Sequence, residues 1–573
     1  MSTLLLALNA KYIHSNIAVR YLQKYAAPFL SQPPQILELT INNRMDFILD
    51  EIFRRSPDLL LFSTYIWNVD LVRRLAAEYR KLRPDALIGG GGPEVSYESE
   101  AFLRQNPAFD LIVRGEGEET VRHLLAARES GLDWTILPGL TVRSGQAVRT
   151  NPPRSALDLA SLPFPYEADL SDTVEQIKYY ESSRGCPFQC QYCLSSIEKG
   201  VRAAPLDKVF ADLEIFLRAK ARQVKFVDRT FNCNHRHSMA IWRYIKEHDN
   251  GITNFHFEIA ADILNEEEMG LLATFRPGLA QLEIGVQSTN MQTIHEIDRM
   301  MDFDMVTQKV QRVASAENIH QHLDLIAGLP YENLESFKKS FNDVYRLRPQ
   351  QFQLGFLKVL KGSKMHEKAG EYGIVYHTRP MYEVLSTNWL TYDEVIYLKG
   401  IEEMVEVYYN SCQFRCTMLA LEAEFDTPFA MYEALAEYYE ENRLNGLKHS
   451  RMGRFDILHD FILSYVKKEH APKYEDDLLM DLYLREKSKS RPSWAADLSG
   501  YKSEIQEFFR KEAEEKRYLK DYEGYSWKQI LNMTHVEVDS KGKWTLFDYK
   551  RRDPLTKDAK TYRILERKEE ERA

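Results

Sequence analysis

Short apolar runs recur through the first 145 residues with amphipathic stretches between them, and that alternation leaves few folds open. The runs are "TLLLALN" (3–9), "QILELTI" (35–41), "DLLLFSTYI" (58–66), "ALIGGGG" (86–92) and "DLIVRGEG" (110–117). Each has the length of a strand buried on both faces, while "NVDLVRRLAAEYRKL" (68–82) sets its apolar residues at helical spacing. Strands alternating with helices imply a doubly wound, Rossmann-like α/β domain whose ligands bind beyond the carboxyl ends of a parallel sheet. The segments that fall there are "NAKYIHSN" (9–16), "STYIWN" (63–68), "GGGGPE" (89–94) and "RGEGEE" (114–119). Four glycines in a row let a large flat ligand lie against the backbone, since no Cβ intervenes; a tight glycine-rich turn is the plainer alternative. The dinucleotide fingerprint G-x-G-x-x-G is absent after the first strand, which removes the main support for a nicotinamide or flavin site.

A proline-rich stretch, "RTNPPRSALDLASLPFPYEADLSD" (149–172), reads as an interdomain crossing. Behind it, "SSRGCPFQCQYCLSS" (182–196) puts Cys186, Cys190 and Cys193 in one loop after a strand-like run. Six cysteines in 573 residues, three of them clustered, do not make a disulfide framework; they point to metal or redox chemistry. A structural zinc site needs a fourth Cys or His nearby, and none follows at a suitable distance. Ferredoxin spacing also needs a fourth cysteine, and a thioredoxin-type motif would not require Cys186. Five more strand-like runs follow: "QVKFVDRTF" (223–231), "NFHFEIAAD" (254–262), "LAQLEIGVQS" (279–288), "HQHLDLIAGLP" (320–330) and "FQLGFLKVL" (352–360). Helical stretches such as 206–220 and 333–347 separate them, making six βα units with the strand before the cysteines. By analogy with closed βα barrels, the chemistry belongs at the carboxyl ends of these strands.

The spacing C-x3-C-x-aromatic-C, with Tyr192 before the last cysteine, is the signature of the radical S-adenosylmethionine superfamily. "GGPEVSYE" followed by "DLIVRGEGEE" resembles the cobalamin-binding domains that precede certain of these radical enzymes. The resemblance covers about residues 1–385. It implies a partial (β/α)6 barrel and a 4Fe–4S cluster on Cys186, Cys190 and Cys193, whose fourth iron stays open to S-adenosylmethionine. It implies reductive cleavage of that cosubstrate to methionine and a 5′-deoxyadenosyl radical, beside a bound cobalamin.

The same resemblance assigns site residues. Beside cobalamin it places Asn9, Tyr12, Ser63, Thr64, Tyr65, Gly89, Gly90, Gly91, Gly92, Pro93, Glu94, Gly115 and Glu116. Beside S-adenosylmethionine it places Tyr192, Glu258, Gln287 and Ser288, and in the reaction pocket Asp228 and Arg229 as catalytic residues. The barrel-strand residues among these, with Asp262, read equally as strand-end caps or turn residues. Two departures matter. Relatives often carry an arginine where Ala260 stands, and many cobalamin domains carry D-x-H-x-x-G after the first strand, which "NAKYIHSN" lacks. Cobalamin without a protein imidazole below cobalt is therefore expected, with His14 a helix-entry or surface residue.

From about residue 385 the pattern turns helical, as at 392–411 and 427–444, and "HVEVDSKGKWTLFDYKRRDPLT" (535–556) reads as a β-hairpin around Lys541 and Gly542. "EAEEKRYLK" (512–520) and "ERKEEERA" (566–573) read as solvated helix faces or tails. Cys412 and Cys416 are expected as a buried pair on one helix face, and Cys233 as a small buried hydrophobe. The expected domains are 1–145 (cobalamin-binding), 146–175 (linker), 176–385 (radical barrel) and 386–573 (mostly helical extension).

A net charge of −10 argues against a general nucleic-acid or anionic-membrane binder. No run is long and apolar enough to cross a bilayer, and the start lacks a basic leader, so a cytoplasmic location is expected. The leading expectation is methylation of an unactivated centre in a small-molecule, peptide or RNA substrate, fed by an electron donor such as flavodoxin or ferredoxin. Cobalamin-assisted cyclisation, ring contraction or oxidation is the alternative within the class. A cobalamin-binding sensor or carrier is the alternative outside it, and the intact cysteine motif argues against that. A methylthiotransferase-type RNA enzyme needs a second cluster, and residues 1–185 contain no cysteine.

Overall fold

A computed structural model describes residues 2–167, 170, 175–197 and 199–564. The charged tail at 566–573 and parts of the 149–172 crossing lie outside the described residues. The chain packs as two units, Met1–Gln321 with Ile326–Leu334 and Phe356–Tyr392, and His322–Leu325 with Glu335–Gly355 and Asp393–Ala573.

The first sheet has seven strands: β1 (Thr3–Asn9), β2 (Gln35–Thr40), β3 (Leu59–Ser63), β4 (Leu87–Gly91), β5 (Leu111–Val113), β6 (Leu140–Ser144) and β7 (Ala147–Thr150). Their order is β2-β1-β3-β4-β5-β6-β7, with the first five parallel and the last two antiparallel. Successive residues face opposite sides, so a strand between two helix layers must be apolar throughout. Leu4, Leu6, Leu8, Leu60 and Phe62 pack on helices Met45–Arg55 and Val69–Leu82 through Ile48, Ile52, Val72 and Leu75. Leu5, Ala7, Leu59, Leu61 and Leu111 face the other way, with Val19, Val121, Leu124 and Leu125 of helices Ile17–Ala26 and Glu118–Glu129. Full burial of each such Leu or Val stabilises the domain by about 1.5–3 kcal/mol. The hairpin β6–β7 was not foreseen, and it carries the sheet to Thr150, past residue 145. Its strands are short and half polar, and the sequence gives little besides Gly145 (φ +58°) to mark the turn.

The glycine run is accounted for by packing within the sheet. A Cβ on Gly89 would stand 2.7 Å from Leu61 and Leu111 side-chain atoms. One on Gly90 would meet Thr64, Ile112 and Phe109 at 3.4–3.6 Å, and one on Gly91 would lie 3.3 Å from the Val113 carbonyl oxygen. Gly92 has φ +111°, and its Cβ would be 2.5 Å from the Thr64 carbonyl oxygen. The protein itself fills the space a side chain would need at Gly89 and Gly92, whereas a Cβ on Gly90 would make ordinary contacts.

The second sheet begins with β8 (Lys178–Tyr180) and is followed by a two-stranded clasp, β9 (Ser183–Cys186) and β10 (Gly200–Ala203), antiparallel and bracketing the cysteine loop. Gly185 has φ +97° there, and a Cβ would sit 2.1 Å from the Gly200 carbonyl oxygen. Next come β11 (Gln223–Phe226), β12 (Asn254–Ile259) and β13 (Ala280–Gln287), and β8, β11, β12 and β13 pair in parallel in that order. β14 (His320–Ala327) and β15 (Gln351–Phe356) complete six strand–helix repeats of a partial (β/α)6 barrel. On the helix side Phe226, Phe231, Trp242 and Phe257 form one aromatic cluster, the Phe231 and Phe257 rings 4.4 Å apart.

In the second unit, helices Pro428–Glu441, Arg451–Tyr465 and Ala471–Arg485 follow one another. Tyr345, Tyr408, Tyr432 and Tyr439 are all buried, so the tyrosine-rich helices are packed core. The expected hairpin is present, Thr534–Val538 with Trp544–Arg552, its turn closed by Gly542 N–H to the Asp539 carbonyl oxygen at 2.9 Å. A third strand, Ala559–Ile564, joins it. Cys412 does not share a helix face with Cys416. It sits at φ +53° in the turn ahead of helix Arg415–Leu421, so the i, i+4 pairing fails, and both thiols are half-buried. Among the described residues no helix is long and apolar enough to cross a membrane.

Candidate active site

The cysteine loop hangs between the clasp and the barrel. Cys186 ends β9, Cys190 is buried, Cys193 is half-buried, and all three thiols are free. Hydrogen bonds that involve no sulfur hold the loop: Ser196 Oγ donates to the carbonyl oxygens of Cys190 (3.0 Å) and Cys193 (2.6 Å). Gln191 N–H donates to Ile297 O, and Met365 N–H to Gln191 O, each at 2.9 Å. Arg299 lies against the loop, its Nη1 3.8 Å from Cys190 Sγ and 3.3 Å from Tyr192 Oη, while Nη2 donates to the Gly285 carbonyl oxygen. Burial pushes the Cys190 thiol up, and the Arg299 guanidinium opposes it. Among the described residues no three His, Cys, Asp or Glu side chains converge on one point as ligands of a single ion. A cluster of several irons takes its thiolates at separate corners instead. Three unpaired thiols in one loop, one beside a cation, suit that donor set. Arg299 escaped the sequence reading because it stands 109 positions from Cys190 in a segment with no motif.

Asp228 is buried and spends both oxygens on the segment ahead of the cysteines. It accepts from Ser182 N–H (3.0 Å), Ser182 Oγ (2.6 Å) and Ser183 Oγ (2.6 Å). Burial raises its pKa, and those hydrogen bonds oppose the rise. Both of its oxygens are therefore taken up within the protein. Arg229 is exposed at the mouth, 4.0 Å from a Glu258 oxygen. Ser288 is fully buried, donates to Glu332 Oε1 (2.6 Å) and accepts from Asn290 N–H (3.0 Å). Gln287 holds φ +72°, a conformation that side chains rarely adopt and that concentrates at functional sites. Burial raises the Asp262 carboxyl, with Arg299 opposing. Cys233 is half-buried in the turn Phe231–Cys233, where burial raises its pKa and the nearby Cys186 adds to the rise.

At the carboxyl edge of the first sheet the loops are tied to one another. Asn9 Nδ2 donates to His14 O (3.0 Å) and Glu38 Oε2 (3.1 Å), and Asn16 Nδ2 to Ser63 Oγ (3.2 Å). Thr64 N–H reaches Gly91 O at 2.7 Å, and Asn68 Nδ2 bridges Leu8 O and Ser63 O. Tyr12 is 80% exposed, and Tyr65 stacks on Trp67 at 4.3 Å. Pro93 opens the short helix Pro93–Ser96. Gly115 has φ +67° and no atom within 4 Å of its missing Cβ. Open backbone beside exposed aromatic rings suits a flat macrocycle.

Two of the expected cofactor residues are engaged elsewhere. Glu94 is buried and binds Lys361 Nζ (3.2 Å) and the Tyr382 hydroxyl. Glu116 accepts from Leu157 N–H (2.6 Å) and pairs with Arg184 (3.3 Å) and Arg202. His14 is a half-buried helix-entry residue, two positions ahead of the Asn16 N-cap of helix Ile17–Ala26. Its Nδ1 lies 2.8 Å from Tyr179 Oη on β8, and burial lowers its pKa, with Lys11 and Lys225 acting the same way. His14→Ala is therefore expected to leave the absorption spectrum of bound hydroxocobalamin unchanged; a clear shift would instead make this ring a cobalt ligand.

The family described as B12 binding domain matches residues 3–125, and that described as Radical SAM superfamily matches residues 180–344, the cysteine loop included. The chain is a cobalamin-binding radical S-adenosylmethionine enzyme. It works with a 4Fe–4S cluster, S-adenosylmethionine and cobalamin. Residues 370–543 of the enzyme match the family described as Protein of unknown function (DUF4080). The enzyme is 25% identical over 536 residues to "Cobalamin-dependent radical SAM methyltransferase TokK" from Streptomyces tokunonensis, covering 85% of this chain and 77% of that one. In fold it is similar to the cobalamin-dependent S-adenosylmethionine radical enzyme OxsB (TM-score 0.60, 14% identity, 84% of this chain and 79% of that one). It is likewise similar to the radical S-adenosylmethionine methyltransferase TsrM from Kitasatospora setae (TM-score 0.55, 19% identity, 66% and 78%).

Proposed function

We infer that the enzyme transfers a methyl group, by way of cobalamin, to an unactivated centre of a substrate that is a small molecule, peptide or RNA. One observation carries this reading. The carboxyl edge of the first sheet is bonded to the barrel beside the cysteine loop, through His14 to Tyr179, Glu94 to Lys361, and Glu116 and Glu118 to Arg184. In this reading those contacts would bring a corrin held at that edge towards the barrel mouth. When bound, the cluster supplies the electron that splits S-adenosylmethionine to methionine and a 5′-deoxyadenosyl radical, and cobalamin supplies the methyl group.

In this reading Cys186, Cys190 and Cys193 would hold three irons, with Arg299 against Cys190. Tyr192, Glu258 and Gln287 border the cosubstrate and Arg229 stands at the mouth, while Asp228 fixes the strand end. Asn9, Tyr12, Ser63, Thr64, Tyr65 and Gly115 border cobalamin. Domain limits near 150, 176 and 385, a cytoplasmic location and a flavodoxin- or ferredoxin-type donor belong to the same reading. The likeness to the methyltransferase TokK supports methyl transfer over cyclisation or oxidation. The test is anaerobic turnover of reconstituted enzyme with methyl-labelled S-adenosylmethionine and cell extract. Label is expected on cobalamin and then in a product; 5′-deoxyadenosine with neither labelled would refute methyl transfer.

A further inference from the structure

The concave face of the barrel is polar where βα barrels are ordinarily filled by branched apolar side chains. Along β11, β12 and β13 burial alternates residue by residue. Phe226, Phe255, Phe257, Leu282 and Ile284 are buried on the helix side. The residues between them, Lys225, His256, Glu258, Gln281 and Glu283, are polar and only half-buried. Pairing sets Tyr179, Lys225, His256 and Gln281 in one row across four strands, with Glu258 opposite Glu283 in the next row towards the mouth. A single oxygen, Glu283 Oε2, accepts from Lys225 Nζ at 3.0 Å and His256 Nε2 at 2.9 Å. The lysine and glutamate side chains keep 25% and 27% of their surface in solvent. The next inward position of β13 is Gly285, whose carbonyl holds Arg299 against Cys190. The charged row therefore lies one step below the cysteine loop, on the face that a molecule presented to the loop would rest against.

A hydrocarbon placed there would strip water from Lys225, Glu283 and Glu258 and return no hydrogen bonds, which is costly for ionised groups. A ligand with its own charged and hydrogen-bonding groups would replace that water. We propose that the substrate is a small polar molecule bearing ionised groups, not a lipid, and that the Lys225–Glu283–His256 cluster receives its polar part. This rests on the radical reading of the site but not on methyl transfer.

Reconstituted full-length enzyme is given the aqueous small-molecule fraction or the lipid fraction of a source-cell extract, the latter in detergent micelles, and 5′-deoxyadenosine is measured. The aqueous fraction is expected to raise its formation at least threefold over enzyme alone, and the lipid fraction to leave it unchanged. Stimulation by lipid, or by neither fraction, overturns the proposal. Lys225→Met should raise the half-saturating amount of aqueous fraction about tenfold and Lys225→Arg much less, with iron content confirming a folded barrel. Lys225→Gln is read in place of Lys225→Met if that variant binds no iron. Equal half-saturation in all of them removes Lys225 from recognition. If aqueous stimulation persists while no methyl label reaches a product, the methyl-transfer reading fails and the substrate class stands.

Discussion

Replacing Cys186, Cys190 and Cys193 together with alanine is expected to abolish iron binding and 5′-deoxyadenosine formation while leaving the fold intact. The wild-type protein should take up about four irons per chain on anaerobic reconstitution, the complement of one cubane cluster. The loop is tied down by Ser196, by Gln191 to Ile297 and by Met365 to Gln191, none of which uses a sulfur. Cys190 is the only buried member of the three, and Cys to Ala there removes one heavy atom. That costs about 1 kcal/mol on the scale of a deleted methylene, well within what a domain tolerates. The melting temperature of the iron-free protein should therefore move by only a few degrees. Iron and sulfide analysis, with chromatography of the nucleoside product, decides the outcome. Iron content equal to wild type in the triple variant would sink the assignment.

Both parallel sheets were legible because strands covered on two faces, or on one face of a barrel wall, leave repeated apolar signals in the chain. "TLLLALN" became β1 with every residue buried, and the alternation in "NFHFEIAAD" became β12. The pairs β6–β7 and β9–β10 were not legible. Their strands have four or five residues, are partly polar and depend on partners that local pattern does not name. The glycine run was legible as a feature, but the contacts that exclude a side chain at Gly89 and Gly92, with Leu61, Leu111 and Thr64, arise only in the folded sheet. The cysteines could be read because their spacing is itself the chemistry. Arg299 and the Asp228 contacts with Ser182 and Ser183 span long stretches of chain, and no local periodicity encodes such meetings.

Arg184 is the most consequential of these long-range residues, and Arg184→Met is expected to destabilise the protein by about 3–5 kcal/mol at neutral pH, as removal of one partner from a buried ion cluster does. Arg184 stands one residue before Gly185 and two before Cys186, its guanidinium 3.3 Å from Glu116, 2.6 Å from Glu118 and 2.9 Å from Glu181. Its side chain is 14% exposed and that of Glu118 7%, so water cannot take over its role. Glu116 and Glu118 follow β5 of the first sheet, and Glu181 follows β8 of the barrel, so one cation joins the two parts. Methionine keeps much of the volume and leaves three neighbouring carboxylates, with Arg202 still on Glu116.

The dependence on pH follows from the signs. In the wild type, burial raises the Glu116 carboxyl, but Arg202, the Leu157 N–H and Arg184 outweigh it and hold the group below its usual range. Its contribution to stability is present above the unfolded pKa, about 4.3, and is lost as pH falls through the folded value. Burial raises the Glu181 carboxyl, with Arg184 opposing. Without Arg184 the Glu116 and Glu181 carboxyls both move up, and a group raised in the folded state destabilises increasingly as pH climbs from the unfolded pKa to the folded one. The deficit of the variant should thus be largest near neutrality and shrink towards about pH 5, where the carboxyls take up protons. Denaturant unfolding of both proteins at the two pH values reads this directly. A deficit that stays constant with pH would mean that Arg184 acts through packing alone, and that the cation is not what couples the corrin domain to the cysteine loop.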